Sequence, residues 1–75
     1  MNKNRKSRIQ TLINELKNVR DLLVDIRDEE EDALDNMPES LQESERGETM
    51  QEAIDNLYDA VDGLDEAIDS LDYII

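Results

Sequence analysis

The sequence predicts an all-α protein: an antiparallel two-helix coiled-coil hairpin that dimerises into a four-helix bundle. Three features predict it. Two long apolar runs repeat at helical spacing, one proline stands between them, and charge divides unequally between the two halves. At 75 residues the chain is one domain, 1–75, with a small core.

The first helix is expected over about residues 5–37. Ile9, Leu12, Leu16, Val19, Leu23 and Ile26 are spaced 3-4-3-4-3, the signature of a heptad seam. The same phase continues through Glu30 to Ala33 and Met37, while Ile13, Leu22 and Leu34 widen the stripe. A wide stripe is what a helix shows when it faces more than one neighbour. Glu30, in the run Asp28–Asp32, reads either as a loosened, solvated stretch or as a polar register device. Pro38 stops the helix, because its ring clashes with the preceding turn and it lacks an N–H.

The second helix is expected over about 45–74. Residues 52–58, 59–65 and 66–72 are three copies of one heptad, and a fourth begins at Tyr73. Ile54, Val61, Ile68 and Ile75 take the a position, Leu57, Leu64 and Leu71 take d, and Ala53, Ala60 and Ala67 take g. Gly63 falls at the outward c position, where it weakens the helix without disturbing the seam. In the connection, about 38–44, two N-caps compete. Ser44 precedes an acidic first turn, and Thr49-Met50-Gln51-Glu52 forms a capping box. Ser44 is preferred. Leu41 is expected to plug the hairpin end with Met37 and Met50.

Charge sets the direction of pairing. Residues 1–27 carry seven Lys/Arg against Glu15, Asp21 and Asp25, a net of +4, and residues 28–75 carry Arg46 against eighteen acids, a net of −17. Each sign is wrong for its own helix dipole. Folding back relieves both faults and brings Lys3, Arg5, Lys6 and Arg8 beside Glu66, Asp69 and Asp72.

Two helices of this width cover only part of each other's stripes. Off-seam side chains such as Ile13, Leu22, Leu34, Ile74 and Ile75 would stay wet, which forfeits several kcal/mol at roughly 25 cal/mol per Å². With no cysteine and no histidine, neither disulfides nor the commonest metal ligands supply the difference. A homodimer does, and an apolar face for another protein is the alternative.

Composition also narrows function. A net charge of −13 and only two aromatic residues argue against direct nucleic acid or anionic membrane contact. No run is long enough to span a bilayer, and the basic start lacks a cleavage site, so a cytoplasmic protein is expected. No histidine base or glycine elbow accompanies the serines, so no enzyme and no cofactor are expected. Glu45-x-x-Glu48 and Glu52-x-x-Asp55 have the spacing of Mg²⁺-binding pairs in all-helical nucleotide pyrophosphohydrolases, but acidic chains produce such pairs by chance, and no cation cluster lies nearby to hold a triphosphate. Asp28–Asp32 lacks the glycine and alternation of a calcium loop. The sharper candidate is the strip Asp55, Asp59, Asp62, Asp65, Glu66, Asp69 and Asp72, which lies along one side of the second helix. Its plain reading is a solvated face. Its functional reading is a mimic of nucleic-acid phosphates that occupies a basic surface on another protein.

Residues 36–48, followed by Ala53-Ile54-Asp55-Asn56-Leu57, resemble a motif in small acidic helical-hairpin proteins of bacteriophages and prophages of Gram-positive bacteria. The similarity covers roughly residues 28–72, and the connection is its most specific part. The resemblance implies a host-cell setting and a phage-encoded modulator or anti-defence protein that blocks a host effector. A phage accessory structural module or assembly chaperone is the alternative.

Overall fold

The computed structural model describes all 75 residues, Met1–Ile75. It contains three helices and no strand: α1 (Lys3–Asp35), a single-turn α2 (Glu39–Gln42) and α3 (Glu45–Asp72). α1 and α3 run antiparallel, side by side, in a rod of 58 × 14 × 12 Å.

The helix ends follow from local chemistry. α1 starts two residues earlier than the apolar pattern indicates, because Asn2 caps it: its Oδ1 accepts from Arg5 N–H at 2.9 Å. It stops at Asp35 rather than 37, since Pro38 restrains the residues before it. Pro38 instead caps α2, a turn that the sequence pattern did not reveal. Gln42 then reaches back, and its Nε2 donates to the carbonyls of Met37 at 3.0 Å and Asp35 at 3.4 Å. Those bonds satisfy acceptors that the end of α1 leaves free.

Ser44 is the N-cap of α3, its Oγ accepting from Gly47 N–H at 3.4 Å and donating to the Leu41 carbonyl. Gly47 is buried, and a Cβ there would lie 2.0 Å from the Gln42 carbonyl oxygen. A side chain at this position would push α2 off the first turn of α3. The glycine is therefore what permits this start. α3 closes at Asp72, so Ile74 and Ile75 lie just past its end rather than in its last turn.

Four aliphatic side chains form the core: Ile13 on α1, and Ile54, Val61 and Ile68 on α3. The α3 seam has the expected phase. The α1 seam does not. Ile13 is fully buried, whereas Leu12, Val19 and Ile26 are 52, 46 and 50% exposed. The row that faces α3 is Ile9, Ile13, Leu16, Arg20, Leu23, Arg27, Glu30, Leu34 and Met37, all at least partly covered. Its spacing is 4-3-4-3-4-3-4-3, again a heptad seam, but with three charged members. Long arginine stems can lie along apolar surface while their heads reach water or a partner. Apolar spacing alone misses such a seam.

Contacts fix the register. Arg20 meets Asp65 and Arg27 meets Tyr58, so facing residue numbers add to 85. Asp72 is thus level with about residue 13, and the first turns of α1 overhang the end of α3. Leu41 does not plug the hairpin. It is 44% exposed, and Gln42 occupies the inner side of the connection instead.

Candidate protein-interaction surfaces

The two flanks of the hairpin seam differ in chemistry. On one flank the charged members of the α1 seam find partners. Arg20 Nη1 donates to Asp65 Oδ1 at 2.9 Å, the one ion pair between the helices, and Arg20 also holds Asp21 at 3.2 Å. The hydrogen bonds that Arg20 donates to Asp65 and then to Asp21 raise its pKa above the ordinary value, which keeps the guanidinium charged. One seam heptad along, the Arg27 guanidinium carbon stands 4.2 Å from the centre of the Tyr58 ring, a cation–π contact. The Tyr58 phenol is pushed above the ordinary tyrosine value, first by the neighbouring Glu31 carboxylate and then by burial, against the lowering effect of Arg27. This flank is a polar register lock built from Arg20, Arg27, Glu31, Tyr58 and Asp65.

The expected pairing of the N-terminal cations with the end of α3 is absent. None of Lys3, Arg5, Lys6 and Arg8 lies within ion-pairing distance of a carboxylate. The register explains this, because α3 ends roughly one and a half to three turns short of them.

The outer side of α1 presents an apolar row. Leu12, Val19 and Ile26 repeat every seven residues, and Leu22, 55% exposed, lies between the last two. Residues so spaced share one helix face. Leu12, Val19 and Ile26 border the seam with α3 on one flank, and the hairpin leaves about half of each exposed.

The acidic strip on α3 is outward as expected for six of its seven members: Asp55, Asp59, Asp62, Glu66, Asp69 and Asp72 are exposed. Asp65 differs. It is partly covered and committed to Arg20, so it is a structural residue more than a free contact. Asp55 accepts from Gln51 Nε2 at 3.0 Å, a link within the helix. The Glu45/Glu48 and Glu52/Asp55 pairs do not converge with other acids into a metal-holding group. No helix is long and apolar enough to cross a membrane.

Sequence reasoning missed the roles of Arg20, Arg27 and Gly47. The signal was present for the two arginines: they sit seven apart, in phase with Ile13 and Leu34. No family model, curated protein or solved structure matches the chain.

Proposed function

We propose that this chain is a non-catalytic protein-interaction module of the cytoplasm, acting as a homodimeric four-helix bundle. Its uncovered apolar row joins two copies, and the acidic outer face of α3 engages a protein that has a basic, nucleic-acid-binding surface. In the phage setting implied by the sequence resemblance, such binding would block a host effector.

The observation that carries this reading is the half-exposed row Leu12, Val19, Leu22 and Ile26 on a hairpin with only four buried aliphatic side chains. A chain of this size with so small a core gains from any surface that covers the row. The one-sided acidity of α3 supports the second half of the proposal, since its 28 residues carry ten acids against Arg46 alone. The lack of histidine and cysteine supports the non-catalytic half.

The rod-like shape, 58 Å long and about one helix pair thick, favours a second reading as an assembly scaffold. Sedimentation of the purified chain tests self-association: a dimer mass is expected, and a stable folded monomer at high concentration would refute it. A basic effector bound at low salt and released at high salt, with its nucleic acid displaced, supports blocking. A salt-insensitive complex with a structural protein would favour the scaffold.

A further inference from the structure

The flank opposite the polar lock is apolar on both helices. In an antiparallel pair, the g rows of the two helices border the same side of the seam and the e rows the other. Tyr58, Asp65 and Glu31 occupy the e side, where Asp65 meets Arg20 and Tyr58 meets Arg27. The g side therefore combines Leu12, Val19, Ile26 and Ala33 of α1 with Ala53, Ala60 and Ala67 of α3 and Ile74 just past its end. Each pair adds to 86 and so lies within one residue of level, as Val19 does with Ala67.

The next row outward differs between the helices. On α1 it is Arg8, Glu15, Leu22 and Glu29, with Leu22 its one apolar member. On α3 it is Asn56, Gly63 and Ser70, so a helix with ten acids keeps this row free of charge. A Cβ on Gly63 would meet nothing within 4 Å. The glycine thus opens a close approach that the hairpin itself does not use. Leu22 and Gly63 are level, because their numbers also add to 85.

We infer that this face pairs with the same face of a second copy about a two-fold axis perpendicular to the rod, passing near Leu22 and Gly63. α1 then lies against the partner's α1, and α3 against the partner's α3, with the two hairpins pointing in opposite directions. This inference rests on the homodimer proposed above and names its surface and topology.

Charge selects the occupant and the direction. Residues 1–20 and 59–75, the open end of the hairpin, carry a net of −1, with the overhanging cations outermost. Residues 21–58, the closed end, carry fourteen acids against Arg27 and Arg46, a net of −12. A parallel dimer would stack two ends of −12 on each other and gather eight overhanging cations at the other end. The antiparallel dimer separates the acidic ends. It also brings Lys3, Arg5, Lys6 and Arg8, unpaired in the hairpin, beside the second copy's acidic connection around Asp32, Asp35 and Glu39. Surface charges at such distances matter mainly by opposing the wrong arrangement.

The chain has no cysteine, so introduced thiols report alone. Under mild oxidation, Leu22→Cys alone should link to itself, and Gly63→Cys alone should do the same. Leu12→Cys mixed with Ala33→Cys should give the mixed dimer, with little self-linking of either. A dimer by sedimentation in which Leu22→Cys links only to Gly63→Cys would overturn this topology and leave the homodimer standing. A monomer by sedimentation, with no link in any variant, would overturn both.

Discussion

Replacing Leu22 by alanine separates the surface proposed to join two copies from the seam that closes one. Leu22 is 55% exposed in the hairpin, so truncating it should change the fold of the single chain little, within about 0.5 kcal/mol as at other surface sites. Alanine is also the better helix former. In the dimer the exposed part becomes buried. Three carbons are lost at about 0.8 kcal/mol each when fully buried. Scaled by the 55% that only the dimer covers, this is about 1.3 kcal/mol per copy. Two copies contribute to one interface, so the loss is about 2.6 kcal/mol, or roughly an 80-fold rise in Kd at 1.4 kcal/mol per tenfold.

Sedimentation equilibrium over a range of concentrations reads that change directly. Circular dichroism on the same samples reads the helix. The expected result is a large shift toward monomer in the concentration dependence, with helicity kept wherever both proteins are dimeric. A dissociation constant within fivefold of the parent would refute the role given to this row. So would equal weakening by Tyr73→Ala, since Tyr73 is almost fully exposed and off the face.

Three further outcomes test the hairpin itself. Ile13→Ala should cost about 2–5 kcal/mol, as for a fully buried isoleucine, and much more than Leu12→Ala; thermal denaturation giving the reverse order would restore the other seam phase. Gly47→Ala should destabilise by about 1–3 kcal/mol through overpacking, because its methyl would meet the Gln42 carbonyl; an unchanged melting midpoint would show that α2 is not held against α3. Tyr58 has its pKa raised by the fold, so its contribution is complete below the unfolded value of about 10 and is lost as pH rises through the folded value. An ultraviolet titration in a Tyr73→Phe background checks this, and a Tyr58 midpoint at or below 10 would contradict the Glu31 contact.

The hairpin's direction was legible only from charge, through contacts of Lys3 to Arg8 that the structure does not make. The α3 seam was legible in the sequence because three heptads repeat the same apolar positions. Rigid periodicity of that kind leaves one phase. The first helix offers two. Ile9, Leu16 and Leu23 belong to both, and the choice falls between Ile13, Arg20, Arg27 and Leu34 on one side and Leu12, Val19, Ile26 and Ala33 on the other. Hydrophobicity prefers the second set. The structure uses the first, since Arg20 and Arg27 have partners on α3 that hydrophobicity does not count. The rejected set became the outer row. The acidic strip was legible except at Asp65, whose role depends on a residue 45 positions away. The overhang of α1 was not legible, because it follows from the pairing register that Arg20–Asp65 and Arg27–Tyr58 set.

Dimer topology also bears on what the acidic face can imitate. α3 carries a net of −9 over 28 residues, about 42 Å of helix at 1.5 Å per residue. That is one charge per roughly 4.7 Å, against one per about 1.7 Å of duplex DNA. A lone α3 is a sparse imitation. Two antiparallel α3 helices packed about 8–10 Å apart would present two opposed acidic strands at one charge per roughly 2.3 Å, close to the duplex value. Mimicry should then depend on pairing as well as on charge. Displacement of a labelled DNA duplex from a sequence-nonspecific binding protein, read by anisotropy at low salt, separates the two. Charge reversal at Asp55, Asp62 and Asp69 should abolish competition. Leu22→Ala leaves the net charge unchanged, yet it should weaken competition in step with the monomer fraction. Equal competition by monomer and dimer would mean that the face acts as a diffuse polyanion, and that the pairing of the two α3 helices has no part in recognition.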